Sequence, residues 1–152
     1  MEQDLKKLSP KFYGMSLIPK ELWKDYGYVL LNIAGYDGEV SDAELEWLTF
    51  DCAETIGVDE KTIAEWESFE YDEDELEELF INLNSSSFAN FNKLLIYDAI
   101  RMCSADHDYS EDEKDQVYNA AQILKVPSEA VTAIEALVEL ETAAEKLRFS
   151  IL

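Results

Sequence analysis

The chain is poor in several residue types that usually announce a function. It has two cysteines, three prolines, five glycines and a single histidine among 152 residues. Two isolated cysteines without a CxxC spacing argue against a disulfide framework or a zinc knuckle, and Cys52 and Cys103 both fall inside helical patterns, as small core residues do. One histidine, His107, with no nucleophile constellation around it, leaves no triad to assemble and reads as an exposed turn residue. No glycine-rich phosphate loop, GxSxG or HExxH is present, so the common phosphate, acyl-transfer and zinc-protease chemistries have no footing. No apolar run reaches the ~18 residues a membrane span requires, and the N-terminus has no apolar signal core. A reducing, cytoplasmic setting and no membrane insertion are therefore expected. Positive charge is also scarce: 12 Lys and Arg against 34 Asp and Glu give a formal charge of −22. Such an acid excess repels nucleic acid and anionic lipid, and favours cations or a protein with a basic surface.

What the chain does contain is helix. Hydrophobic residues make up 47% of it, enough for a core in one domain of this size. Leu22, Tyr26, Val29, Leu30 and Ile33 recur at three and four over residues 20–36, the spacing of one helix face. Ser41 opens a helix to about Ile56, with Leu45, Leu48, Phe50 and Cys52 among its apolar positions, and Gly57 closes it. Asp59 caps a short helix carrying Ile63, Trp66 and Phe69. Residues 88–104 are the most hydrophobic helix, with Phe91, Leu94, Leu95, Ile96, Ala99 and Met102, and should lie at the centre; Asp98 and Arg101 can pair on it. A helix from Ser110 to about Leu124 follows. Ser128 to Arg148 is a long last helix, with Val131, Ile134, Val138 and Leu147 expected inward. Sustained strand alternation is absent, so the fold class is all-α, with about seven helices. Residues 1–19 form an irregular, slightly basic arm, and 20–152 form the helical domain.

One stretch organises the chain and occurs twice. Asp37-Gly38-Glu39-Val40-Ser41-Asp42-Ala43-Glu44 returns 69 residues later as Asp106-His107-Asp108-Tyr109-Ser110-Glu111-Asp112-Glu113. Each copy follows an apolar helix and starts another. In each, a Ser with Glu three positions on predicts a capping box. The echo continues: Ala53 to Val58 is answered by Ala121 to Val126. Internal repetition of this kind implies two related halves. Asp106, Asp108 and Ser110 stand at the first, third and fifth places of an EF-hand-like loop, but the twelfth place, which must supply a bidentate Glu, is Val117 (Leu48 in the first copy). The loops are not EF-hands.

The two turns, each leading from an apolar helix end through Asp-Gly-x-x-Ser-x-x-Glu into a capped helix, resemble the TerB-like family of tellurite-resistance proteins and co-chaperone N-terminal domains. The resemblance spans roughly residues 20–140; His107 stands where glycine is usual. It implies an all-helical fold of two halves and a non-enzymatic role in stress or toxic-oxyanion response, or in phage defence, exercised through protein partners. It also implies divalent cation binding, Ca²⁺ or Mg²⁺, at the acidic turns. Carried over position by position, that points to Asp37, Glu39, Glu44, Asp106, Asp108 and Glu113. The alternative reading of those residues is structural: the aspartates organise the turns and the glutamates complete the caps.

A second function class rests on a different stretch. Residues 59–78 hold eleven acids and one lysine, while Leu76, Leu79, Phe80 and Leu83 keep helical spacing. The acidic face of Asp72, Glu73, Asp74 and Glu77 could dock a basic partner, or mimic DNA phosphates and inhibit a nucleic-acid-binding protein. Self-association as a homodimer is also left open by the sequence.

Overall fold

The structure is a computed structural model, and it describes residues 18, 20–35, 39–70, 78–79, 81 and 91–152. Asp37, the acidic-face residues Asp72, Glu73, Asp74 and Glu77, and all of the N-terminal arm except Ile18 lie outside the described residues. The described residues form no strand, and none of their helices is long and apolar enough to cross a membrane.

After a 3-10 turn at Lys20–Leu22, α1 is Trp23–Ala34. The second helix, α2, begins as Asp42–Glu46, passes through a π-helical stretch Trp47–Cys52 and finishes as Ala53–Ile56. Then come α3 (Glu60–Glu67), α4 (Phe91–Cys103), α5 (Glu111–Ile123) and α6 (Ser128–Ile151). Helices α1 and α4 make the most extensive contact, and the other helices gather round that pair. Its inner faces are mostly apolar: Tyr26, Val29, Leu30 and Ile33 on α1 and Leu95, Ile96, Ala99, Ile100 and Met102 on α4 are all buried. Apolar surface removed from water in this way stabilises by about 25 cal/mol per Å².

Trp66 of α3 is seated against α1 through a backbone gap. Gly27 lies where any Cβ would overlap the Trp66 indole, and the indole N–H donates to the carbonyls of Trp23 and Lys24, both at 3.2 Å. Glycine in mid-helix has a propensity cost of about 1 kcal/mol; here it allows one large aromatic to bury completely.

The two halves repeat in three dimensions. Ser41 Oγ accepts the Glu44 N–H at 3.1 Å and Glu44 Oε1 accepts the Ser41 N–H at 2.8 Å. In the second copy Ser110 Oγ accepts the Glu113 N–H at 3.1 Å and Glu113 Oε1 accepts the Ser110 N–H at 3.0 Å. The helix ends match as well. The Val58 N–H reaches back to the Ala53 carbonyl at 2.9 Å, and the Val126 N–H to that of Ala121 at 2.8 Å. The first closure turns through Gly57 at φ +88°, the second through Lys125 at φ +61°. The same backbone shape is thus kept where the favoured residue is missing.

Two expectations are corrected. Phe50 is 66% exposed: two residues from both Leu48 and Cys52, it stands about half a turn round the helix from those buried residues. Leu147 is 59% exposed rather than inward. Helix α6 packs on the body through Val131, Ile134 and Val138, and its C-terminal turns run on beyond that contact.

Candidate functional site

Each capping glutamate spends one carboxylate oxygen on its own turn. The other oxygen points inward. Glu44 and Glu113 approach one another beside Cys103, at the C-terminal end of α4. One ligand atom from each of the three lies within 4.8 Å of the others. Glu44 is 2% exposed and Glu113 1%. Neither Glu44 Oε2 nor Glu113 Oε2 has a hydrogen-bond partner.

Two buried carboxylates cannot both remain ionised at that distance without a large electrostatic cost. Burial pushes the Glu44 carboxyl up to about 9 from 4.5; a Glu113 carboxylate placed to accept its proton and the nearby charges of Glu113 and Asp106 add to the shift, and the Ser41 backbone N–H opposes it. A proton held by Glu44 would turn two orphan acceptors into one donor and one acceptor. A cation between them would neutralise the same oxygens.

Of the expected site residues, the structure brings together Glu44 and Glu113, with Asp106 near enough to act on Glu44 through its charge. Asp106 serves its turn directly: its Oδ1 accepts the Asp108 N–H at 2.9 Å. His107 between them takes φ +64°, the left-handed conformation glycine adopts freely. Glu39 and Asp108 are exposed at the surface and stand apart from the buried cluster. Cys103 was legible only as a core residue. Its closeness to the glutamates depends on packing, although its place three residues before Asp106 puts it at the mouth of the second turn.

The donor set can be compared with what cations take. Ca²⁺ is bound by about six to eight oxygens and Mg²⁺ by a near-octahedral set that keeps several waters. Two free carboxylate oxygens and a thiol in an enclosed site fall short of either. Zn²⁺ accepts thiolate and carboxylate together at low coordination number, so these residues fit it better.

A second buried polar cluster braces the centre. Tyr26 O–H donates to Asp98 Oδ2 at 2.5 Å, and Arg101 lies 3.7 Å from Asp98 Oδ1. Burial lifts the Asp98 carboxyl to about 6 from 3.8, against the pull of Arg101 and Tyr26. The Arg101 guanidinium also lies over the Trp47 and Tyr97 rings, 5.2 and 5.0 Å from their centroids. A cavity of about 10 Å³ beside this cluster has no room for a substrate. Asn32 and Gln116 add a buried contact at 3.4 Å between the halves. Elbow two and α5 are tied to α6 by Tyr109 and Tyr118 respectively, which both donate to Glu135, at 2.9 and 2.8 Å.

No family model and no curated protein matches the chain. A solved structure does: a tellurite resistance protein from Nostoc punctiforme, 28% identical in sequence, superposes with a TM-score of 0.79, covering 99% of this chain and 95% of that one. The all-helical fold and the likeness first read from the two turns hold over essentially the whole length.

Proposed function

We propose that this TerB-like chain is a non-enzymatic stress-response module that docks a protein partner and carries, between its halves, a paired-glutamate site for a proton or a divalent cation. The stress-response part rests on the tellurite resistance protein that shares its fold. The site rests on one observation: two capping glutamates, 69 residues apart, each bury an unpartnered oxygen at the same place. A stability-only design would not leave two acceptors facing each other, since each unsatisfied buried group costs about 1–3 kcal/mol. The strongly negative surface favours a basic face on the partner.

Because Glu44 and Glu113 belong to opposite elbows, whatever sits between them couples α2 to α5. A bound cation would draw the elbows together and displace the proton; its loss would return the proton. That gives the module two states with different stabilities, the requirement for a switch that a partner can read.

The test uses the full chain stripped with chelator. Zn²⁺, Mn²⁺, Ca²⁺ and Mg²⁺ are added singly while the melting temperature and the Cys103 thiolate–metal absorption are followed. A rise with Zn²⁺, lost in Glu44→Gln and Cys103→Ser, supports the cation limb. No shift with any ion at about millimolar concentration removes it and leaves the proton alone. Partner docking is tested separately by affinity capture at low and high salt. A retained partner without a basic surface would contradict the electrostatic reading.

A further inference from the structure

Helix α6 carries two apolar faces. Val131, Ile134 and Val138 hold one against the body. The other begins where that contact ends: Leu140, Ala144, Leu147 and Ile151, spaced four, three and four, and all exposed. Leu140 is 69% exposed, Leu147 59% and Ile151 68%. With about 3.6 residues per turn, this seam lies on the far side of the helix from Val138. Alternating threes and fours are the a/d repeat of a coiled coil, and a surface helix with no partner has no reason to keep them.

We propose that the C-terminal turns of α6 pair antiparallel with the same turns of a second copy of this chain. The occupant follows from the residues. In the register that sets Leu140 against Ile151 of the second copy, Ala144 meets Leu147, so each layer joins a large residue to a small one or two of moderate size. Glu141 is held by the Tyr97 hydroxyl of its own chain, which donates to its Oε1 at 2.7 Å, so the pairing rests on these apolar layers. The antiparallel arrangement puts the two bodies at opposite ends of the paired helices. Burying the seam on both copies removes roughly 1,000 Å² of surface, the lower edge of what specific interfaces use. The usual cost of ordering a short helix is already met, because the N-terminal half of α6 is fixed to the body.

The area and the charge set the strength. Two bodies of formal charge −22 repel, so the contact is reversible and tightens as salt screens them. Sedimentation equilibrium on the full chain should show monomer and dimer exchanging at micromolar concentration, shifting toward dimer between about 0.02 and 0.5 M salt. Leu147→Asp and Leu140→Asp should each be monomeric with unchanged helical circular dichroism, since both side chains are exposed. For the register, Ala144→Cys and Leu147→Cys chains with different mass tags are mixed and oxidised; Cys52 and Cys103 are buried and stay silent. Cross-links between the two variants should exceed those within either. A wild-type chain that stays monomeric at ~0.5 mM in high salt would overturn the pairing. So would a dimer that survives both aspartate variants, or a seam occupied only by a different protein. Predominance of Ala144→Cys self-links would overturn the antiparallel register.

Discussion

Replacing Glu44 by Gln should make the protein more stable at neutral and alkaline pH, although it alters a capping box. Gln keeps the shape. Its carbonyl can still accept the Ser41 N–H that Glu44 Oε1 accepts at 2.8 Å, and its NH₂ occupies the place of Oε2, the atom with no partner. There it can donate to Glu113. The gain follows from proton linkage. The Glu44 carboxyl sits near 4.5 when unfolded and about 9 when folded, so the folded state binds the proton more tightly. A raised carboxyl contributes stability that is fully present below the unfolded value and is lost as pH rises through the folded one. At pH 7.5 the chain must take up a proton to fold, three pH units above where it would hold one unaided. At 1.36 kcal/mol per unit the upper bound is about 4 kcal/mol. The substitution removes that term, so a gain of about 2–4 kcal/mol is expected, raising the melting temperature by roughly 5–12 °C in a chain of this length. At pH 5 the difference should shrink below ~1 kcal/mol. Thermal melts of both proteins from pH 5 to 9, with chelator present, read the result directly. A variant that is less stable at every pH, or one whose stability falls with pH as steeply as wild type, would refute the shared-proton account.

Gly27→Ala should cost about 3 kcal/mol or more, because the added Cβ overlaps the Trp66 indole and must expel it from its place against α1. Tryptophan fluorescence should shift red, and urea melts showing less than ~1 kcal/mol would mean that the ring has room to move. Tyr26→Phe leaves the buried Asp98 with Arg101 alone and should cost about 1–3 kcal/mol by urea denaturation. A neutral outcome would show that water reaches the Asp98 carboxyl. His107→Gly relieves a left-handed backbone at φ +64° and should add about 0.5–1 kcal/mol, the conformational gain less the entropy of a freer unfolded chain. Loss of stability would assign the imidazole a contact that matters.

Among the described residues, helix positions, the caps at Ser41, Asp59 and Ser110 and the repeat were legible in order of residues, because each is decided within four or five positions along the chain. A serine and a glutamate three apart make a capping box whatever surrounds them, and both boxes form as expected. The buried stripe of α1 follows from spacing alone. Leu147 shows where that logic stops. Nine residues past Val138, it stands about half a turn round α6 from the packed stripe, so apolar character alone did not place it inward. Phe50 makes the same point, for it lies half a turn from the buried Leu48 and Cys52 and so on the outer face of α2.

The acidic turns were likewise marked by sequence as one set of candidate ligands, and tertiary packing divided them. Glu39 and Asp108 stayed with solvent, while Glu44, Glu113 and Cys103 were carried into one enclosure. By itself the sequence determined two equivalent elbows, each with a glutamate committed by one oxygen to its own backbone. Only the crossing of α1 and α4 decided that the remaining oxygens would meet. A bond across three residues is fixed by local geometry, whereas a contact across 69 residues depends on how every helix between them is stacked.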